Sequence, residues 1–328
     1  FNRKRCIIDE YSVSYIGPSP RFKKHFYVAK KYGHRVMAKL QFSTTHEIVT
    51  VPYIPVIFNF AEKIEKLKKM KVNGYLYCWI FGGETNIVSR ITGLLSNKNL
   101  SKYKVIKKIA DEEFGKEISK YVIKAWKIFS EAFKKYPFSI SFLYYGPINY
   151  ATIYPFKTDA EKIGYIPSWR PLPRDENGYL KVGDNLETWV KPYKPYFFIN
   201  QLEKMSKEWK KGIDILENGL NLSNNERLKK EIDIAKHIYF SFRSSKNIIS
   251  FYLNLRNMKK TNNPEYKEKI IKILKEEIEI TKEDWNIWKR NPEFGYHPEA
   301  GENFIKDTDF KHKLSLLSLC EPPKFTSI

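Results

Sequence analysis

Cysteine is scarce. Cys6, Cys78 and Cys320 form an odd set without metal-ligand spacing. Cys6 and Cys78 lie in apolar, strand-like runs, where a free thiol is a small core residue. A reducing compartment follows as the expectation, and with it a cytoplasmic location. No histidine–carboxylate set has zinc-ligand spacing on one helix, so no metal is expected. The chain also lacks a Walker loop, a glycine-rich dinucleotide fingerprint and a serine nucleophile elbow. These absences argue against bound nucleotides, dinucleotide cofactors and serine-hydrolase chemistry, and no cofactor is expected. No apolar run approaches the ~20 residues of a membrane span, and the opening "FNRKRCIIDEYS" has too short an apolar part for a signal peptide. Arginine is sparse among the 58 basic residues.

What the chain does carry is positive charge, +21 over 328 residues. Such a balance raises nucleic acid or an anionic membrane as a partner. The lysines, however, alternate with glutamates in "AEKIEKLKKMK" and "EYKEKIIKILKEE", the pattern of a solvated helix face with i,i+4 pairing. No nucleic-acid recognition motif accompanies the charge, so neither nucleic acid nor membrane is expected as a partner. At 42% hydrophobic residues the chain can bury a full core, and two domains are expected.

The first hundred residues alternate strand and helix. "CIIDEYSVS" is a short apolar run that turns polar at Asp9 and Glu10. "RFKKHFYVAKKYG" sets Phe22, Phe26 and Ala29 at helical spacing and stops at Gly33. "RVMAKLQ" predicts a strand, and "FSTTHEIVTVPYIP" a long loop. Pro55 opens a helix with Ile57, Phe60, Ile64, Leu67 and Met70 along one side. "YLYCWIFGG" predicts a third strand. A β-α-β-α-β order calls for parallel strands, which deliver their following loops to one edge. In barrels of alternating strands and helices, and in open parallel sheets, that edge carries the chemistry.

Beyond residue 100 the pattern is helical. "SKYKVIKKIADEEFG" predicts a helix, and "KEISKYVIKAWKIFSEAFKKYP" sets Ile118, Val122, Trp126, Phe129 and Phe133 on one face. Residues 138–195 are irregular and rich in Pro, Tyr and Gly, as a segment that wraps a site or crosses between domains would be. Helices return at about 196–218, 224–260, 264–289 and 302–318.

Several stretches carry a family likeness: "GHRVMAKLQFSTTHEIVTVPYIPV", "VNGYLYCWIFGGETN", "EEFGKEISKYVIKAWKIFSEAFKKYPFSISFLYYGPINY", "YKPYFFINQLEKMSKEWKKGIDIL" and "EFGYHPEAGENF". The chain resembles the C-terminal part of bacterial proteins akin to TIM-barrel glycoside hydrolases. The resemblance implies an α/β then all-α fold, with the last strands and helices of a (β/α) TIM-type barrel over 1–100 and a mainly helical domain over 101–328. It implies a glycosidase acting on an oligosaccharide or glycoside, with a homo-oligomer allowed. A full barrel has eight strands and about three are legible, so the others would precede Phe1. The first residue is not Met, which suggests a fragment or a processed product, inactive alone. The alternatives are a smaller sheet and a non-catalytic carbohydrate-binding or assembly module.

Glycoside hydrolysis needs two carboxyl groups across the scissile bond. Glu47, after the second expected strand, and Glu10, after the first, are the candidate catalytic pair. Each is equally a loop carboxylate; for Glu47 the competing role is to pair with His46 or cap a turn. Trp79 offers an apolar platform for a sugar face, or is a core residue. Gln41 at a strand end either binds a hydroxyl group or closes a sheet layer, and His46 beyond it is a candidate to contact substrate. Past Gly82–Gly83, Glu84 either binds a sugar hydroxyl or stands exposed at a helix start, and Asn86 is a candidate to bind a hydroxyl group. His297 and Glu299, in the Gly- and Pro-marked "GYHPEAGEN", either complete the site or cap the last helix.

Overall fold

The computed structural model describes residues 10–77, 85–97, 100–158 and 166–319. Trp79, Glu84 and the three cysteines lie outside these residues. The chain forms two compact units interleaved along the sequence. Unit 1 comprises Phe1–Glu47, Pro52–Tyr136 and Lys207–Ala235; unit 2 comprises Ile48–Val51, Pro137–Ser206 and Lys236–Ile328.

Unit 1 begins with α1 (Pro20–Lys31), whose N-cap Ser19 accepts the Phe22 N–H. The helix stops before Gly33, which adopts φ +76°, as the sequence predicts. The strands β1 (Met37–Lys39) and β2 (Gly74–Leu76) pair in parallel, Ala38 opposite Tyr75. They are joined by α2 (Ile57–Lys69), whose Ile57, Phe60, Ile64 and Leu67 are buried as their spacing requires. Among the described residues this single β-α-β unit is the whole of the parallel sheet, and no barrel is seen. The expected first strand falls largely on residues before 10. The expected third strand is described only to Tyr77.

Helices α3 (Ile87–Asn97), α4 (Lys102–Phe114) and α5 (Lys116–Phe133) follow. The sequence reading assigned no helix to α3. On α5, all five apolar residues of the expected face are buried. Helices α6 (Ile140–Tyr145) and α7 (Leu186–Trp189) are short, and the rest of 138–195 is irregular apart from two 3-10 turns, in keeping with its composition. Two long helices, α8 (Pro195–Leu220) and α9 (Glu226–Thr261), contribute to both units.

In unit 1, Phe129 stacks on Trp209 of α8 at 4.3 Å between ring centroids, and Trp209 Nε1 donates to the Ala235 carbonyl of α9 at 2.9 Å. The buried Glu231 carboxylate of α9 accepts Trp126 Nε1 at 2.6 Å and the Tyr53 hydroxyl. A charge buried in a core requires such partners.

Unit 2 contains α10 (Pro264–Arg290), the antiparallel pair β3 (Tyr296–His297) and β4 (Glu302–Asn303), and α11 (Asp307–Leu319). Its interior holds a fully buried ion pair, Lys313 Nζ to Glu277 Oε2 at 2.6 Å. Ser244 and Asn247 of α9 also donate to the Glu277 carboxylate, at 2.8 Å each. Much of the remaining charge is paired on helix surfaces, as with Lys66–Glu62 and Lys269–Glu265. Lys63 is a correction to the solvated-face reading of "AEKIEKLKKMK": it is 1% exposed.

Gly212 of α8 sits where a Cβ would lie 2.3 Å from the Phe129 ring. Gly212→Ala must push that ring off Trp209, costing about 1–3 kcal/mol. Thermal unfolding is expected to show a lowered Tm; an unchanged or raised Tm contradicts this packing.

Candidate functional site

The parallel strand order brings the segment after residue 10, the first turns of α1 and the end of β1 together around a cleft of about 330 Å³. Glu10, Tyr11, Arg21, His25 and Gln41 supply its polar lining, and Phe22, Met37 and Leu40 its apolar surface. All belong to unit 1. Alternation along β1 and just beyond it sets Lys39 and Gln41 on one side. Helical spacing sets Arg21 and His25 on one face of α1. Apolar surface with a few convergent polar groups is the usual make-up of a ligand cleft.

Glu10 is half-buried, and its carboxylate is oriented by Ser19. The Ser19 N–H donates to Oε1 and the Ser19 hydroxyl to Oε2 at 2.8 Å. The same hydroxyl accepts the Phe22 N–H at 3.0 Å, so Glu10 is coupled to the start of α1.

Glu47, expected at an open strand end, is instead wholly buried and does not line the cleft. Its Oε1 accepts the Ser12 hydroxyl at 2.6 Å, and its Oε2 accepts the Val13 N–H at 2.8 Å and the Thr45 hydroxyl at 3.3 Å. Lys63 Nζ reaches the same segment, donating to the Ser12 carbonyl at 3.0 Å. Burial pushes the Glu47 carboxyl up to about 7, against the opposing pull of these hydrogen bonds and of Lys63. Burial likewise pushes Lys63 down to about 8, while the negative charges of Glu47 and Glu10 oppose that shift. The two expected carboxylates thus share the field of one buried ammonium, although only Glu10 faces the cleft.

Gln41 is almost fully buried and lies in the cleft wall; His46 is buried. Asn86 ends the loop before α3 and caps that helix. Its Oδ1 accepts the N–H groups of Val88 and Ser89, and the Ser43 hydroxyl at 3.2 Å. Reciprocally, Ser89 Oγ accepts the Asn86 N–H at 2.9 Å, a capping box with serine in the third position. His297 and Glu299 belong to unit 2, in and beside the β3–β4 hairpin, and neither caps α11, which starts at Asp307. His297 is buried, and the loss of solvent lowers its pKa to about 4.

Sequence reasoning missed Lys63, Arg21 and His25. The signal for Lys63 was present in its position three residues after Phe60 and four before Leu67, on the apolar side of α2. Among the described residues no group of three or more His, Cys, Asp or Glu is placed to hold a metal ion, and no helix is long and apolar enough to cross a membrane.

No protein-family model and no curated protein matches the chain. Among solved structures it is similar to a "GH138 enzyme targeting pectin rhamnogalacturonan II", with a TM-score of 0.50 and 10% identity. The fold is glycoside hydrolase-like. The match covers 86% of this chain and 36% of that one, so the chain spans little more than a third of the length of this structural neighbour. At that identity the likeness is one of fold alone.

The Glu47 carboxyl gives the fold a pH signature. Its pKa is raised on folding, so its contribution is fully present below the ordinary carboxylate value of 4.5 and is lost as pH rises through about 7. Glu47→Gln is expected to flatten that part of the stability profile. Urea unfolding followed from pH 4.5 to 7 checks this; parallel slopes for the two proteins contradict it.

Proposed function

We propose that the chain is part of a carbohydrate-active enzyme of glycoside hydrolase type, and that the cleft at the end of β1 takes its saccharide. The observation that carries this reading is the hydrogen-bonded Glu10 carboxylate at the mouth of a partly apolar cleft beyond a parallel strand, in a glycoside hydrolase-like fold. Phe22 offers a flat apolar surface to the C–H face of a sugar. Gln41 and Tyr11 offer donors and acceptors to its hydroxyl groups. On this reading Glu10 is one of the two carboxyl groups that glycoside hydrolysis requires, serving as proton donor or as base.

Glu47 then acts as a positioning residue. It holds Ser12 and Val13, and through them the adjoining Glu10–Tyr11 segment, in place. The finer reading of the fold belongs to the same proposal: β1, α2 and β2 are one unit of a (β/α) barrel whose other strands lie in a longer polypeptide. The 36% coverage of the larger solved chain supports it.

A second reading is favoured by one observation: Glu10 is the one carboxylate among the described residues lining the cleft. A module that binds saccharide without cleaving it needs no second one.

Assay of the full natural protein against a panel of nitrophenyl glycosides and plant polysaccharides tests both readings. Hydrolysis is expected, with Glu10→Gln lowering kcat by about a hundredfold or more at an unchanged Tm. Full activity in Glu10→Gln contradicts the assignment; binding without turnover favours the module.

A further inference from the structure

Unit 2 holds a buried polar seam that plays no part in the cleft. His237, Ser241 and Ser244 follow one another at helical spacing on α9, and Glu277, Thr281 and Asp284 do the same on α10. All six are buried. A carboxylate only accepts, so His237 Nδ1 donates to Asp284 Oδ1, at 2.8 Å. Ser244 Oγ donates to Glu277 Oε2 at 2.8 Å. From His237 to Ser244 the partner on α10 steps back from Asp284 to Glu277. The two helices therefore run antiparallel here, and Ser241 falls opposite Thr281, between the two pairs. In this layer Asp284 Oδ2 and Thr281 Oγ1 have no hydrogen-bond partner among the described residues. Both side chains are 0% exposed, and a bare buried carboxylate oxygen or hydroxyl costs more than a typical hydrogen bond returns.

We infer that the seam binds one internal water molecule, held by Asp284 Oδ2, Thr281 Oγ1 and Ser241 Oγ. Three hydrogen bonds are what a buried water commonly makes to polar groups the protein leaves unsatisfied. The water donates one hydrogen to Asp284 Oδ2 and the other to Ser241 Oγ, and it accepts the Thr281 O–H. Ser241 is able to accept, because its own hydrogen goes to the His237 carbonyl at 3.0 Å. The small Ser241 and Thr281 side chains also fill less of the space between the helices than the pairs on either side. A hard cation suits the site less well, since one carboxylate oxygen and two hydroxyls fall short of the about six oxygens it takes. With its second oxygen occupied, Asp284 is fixed facing His237, whose Nε2 meets the Thr50 hydroxyl at 2.9 Å. Thr50 belongs to the segment Ile48–Val51 of unit 2. The water thus completes a chain of contacts from α10 through α9 that anchors this segment.

Two measurements on the protein test this. A high-resolution crystal structure is expected to show one density peak at about 2.7–3.2 Å from all three oxygens. Thr281→Val keeps the β-branched shape and removes the hydroxyl, so the sign of its effect on stability discriminates. Removing an unpartnered buried hydroxyl stabilises a protein. Removing one that holds a water strips that water of a partner, and Tm is expected to fall by about 2–4 °C. A raised or unchanged Tm overturns the inference. So does a crystal structure in which Asp284 Oδ2 and Thr281 Oγ1 bond to other protein groups with no peak between them. A peak with contacts of about 2.3–2.6 Å marks a cation instead of water and overturns it too. If Thr281→Val does not fold, the wild-type density decides alone.

Discussion

A buried carboxylate, Glu47, is the constraint on which the cleft depends. Taking a carboxylate out of water is costly unless hydrogen bonds and opposite charge replace the solvent. Here the replacements are the Ser12 hydroxyl, the Val13 N–H, the Thr45 hydroxyl and the nearby Lys63 ammonium. Together they tie three parts of the chain to one point: residues 12–14, the loop after β1, and α2. Residues 10 and 11 enter the cleft directly from the first of these. The geometry of Glu10 is therefore set from behind by Glu47 and from the side by Ser19.

Each unit solves the problem of buried charge in a similar way. In unit 1, Glu231 is held by an indole and a phenol. In unit 2, Glu277 receives Lys313, Ser244 and Asn247. Removing one partner from such a set leaves the other as an uncompensated polar group, which costs far more than a surface pair gains. These polar points inside an aromatic-rich core restrict which packings are acceptable, because a shifted helix would strand a charge.

The helical parts were the more legible in the sequence. Apolar residues three and four apart placed α1, α2, α5 and the long helices, and Gly33 marked a true helix stop. Helix α3 was missed although its signals were present: an asparagine–serine cap at Asn86 and Ser89, and Ile87, Ile91 and Leu95 four apart on one buried face. The site was partly legible. Glu10 and Gln41 stood out in the sequence because both follow short apolar strand-like runs, and the structure sets both in the lining of the cleft. Glu47 was found as a distinctive carboxylate, but its burial was not, since the partners that make burial tolerable come from residues 12, 13 and 63. Long-range partners of this kind leave no local periodicity. Arg21 and His25 were hidden for the opposite reason: on a lysine-rich helix they look like ordinary surface charge.

The most direct measurement of the central constraint is the exchange rate of the Val13 amide, which donates to Glu47 Oε2 at 2.8 Å. Hydrogen exchange by mass spectrometry or NMR is predicted to find it strongly protected in the wild type, with protection lost in Glu47→Ala while the amides of α5 stay slow. A Val13 amide that exchanges freely in the wild type, or stays protected without Glu47, would contradict the account.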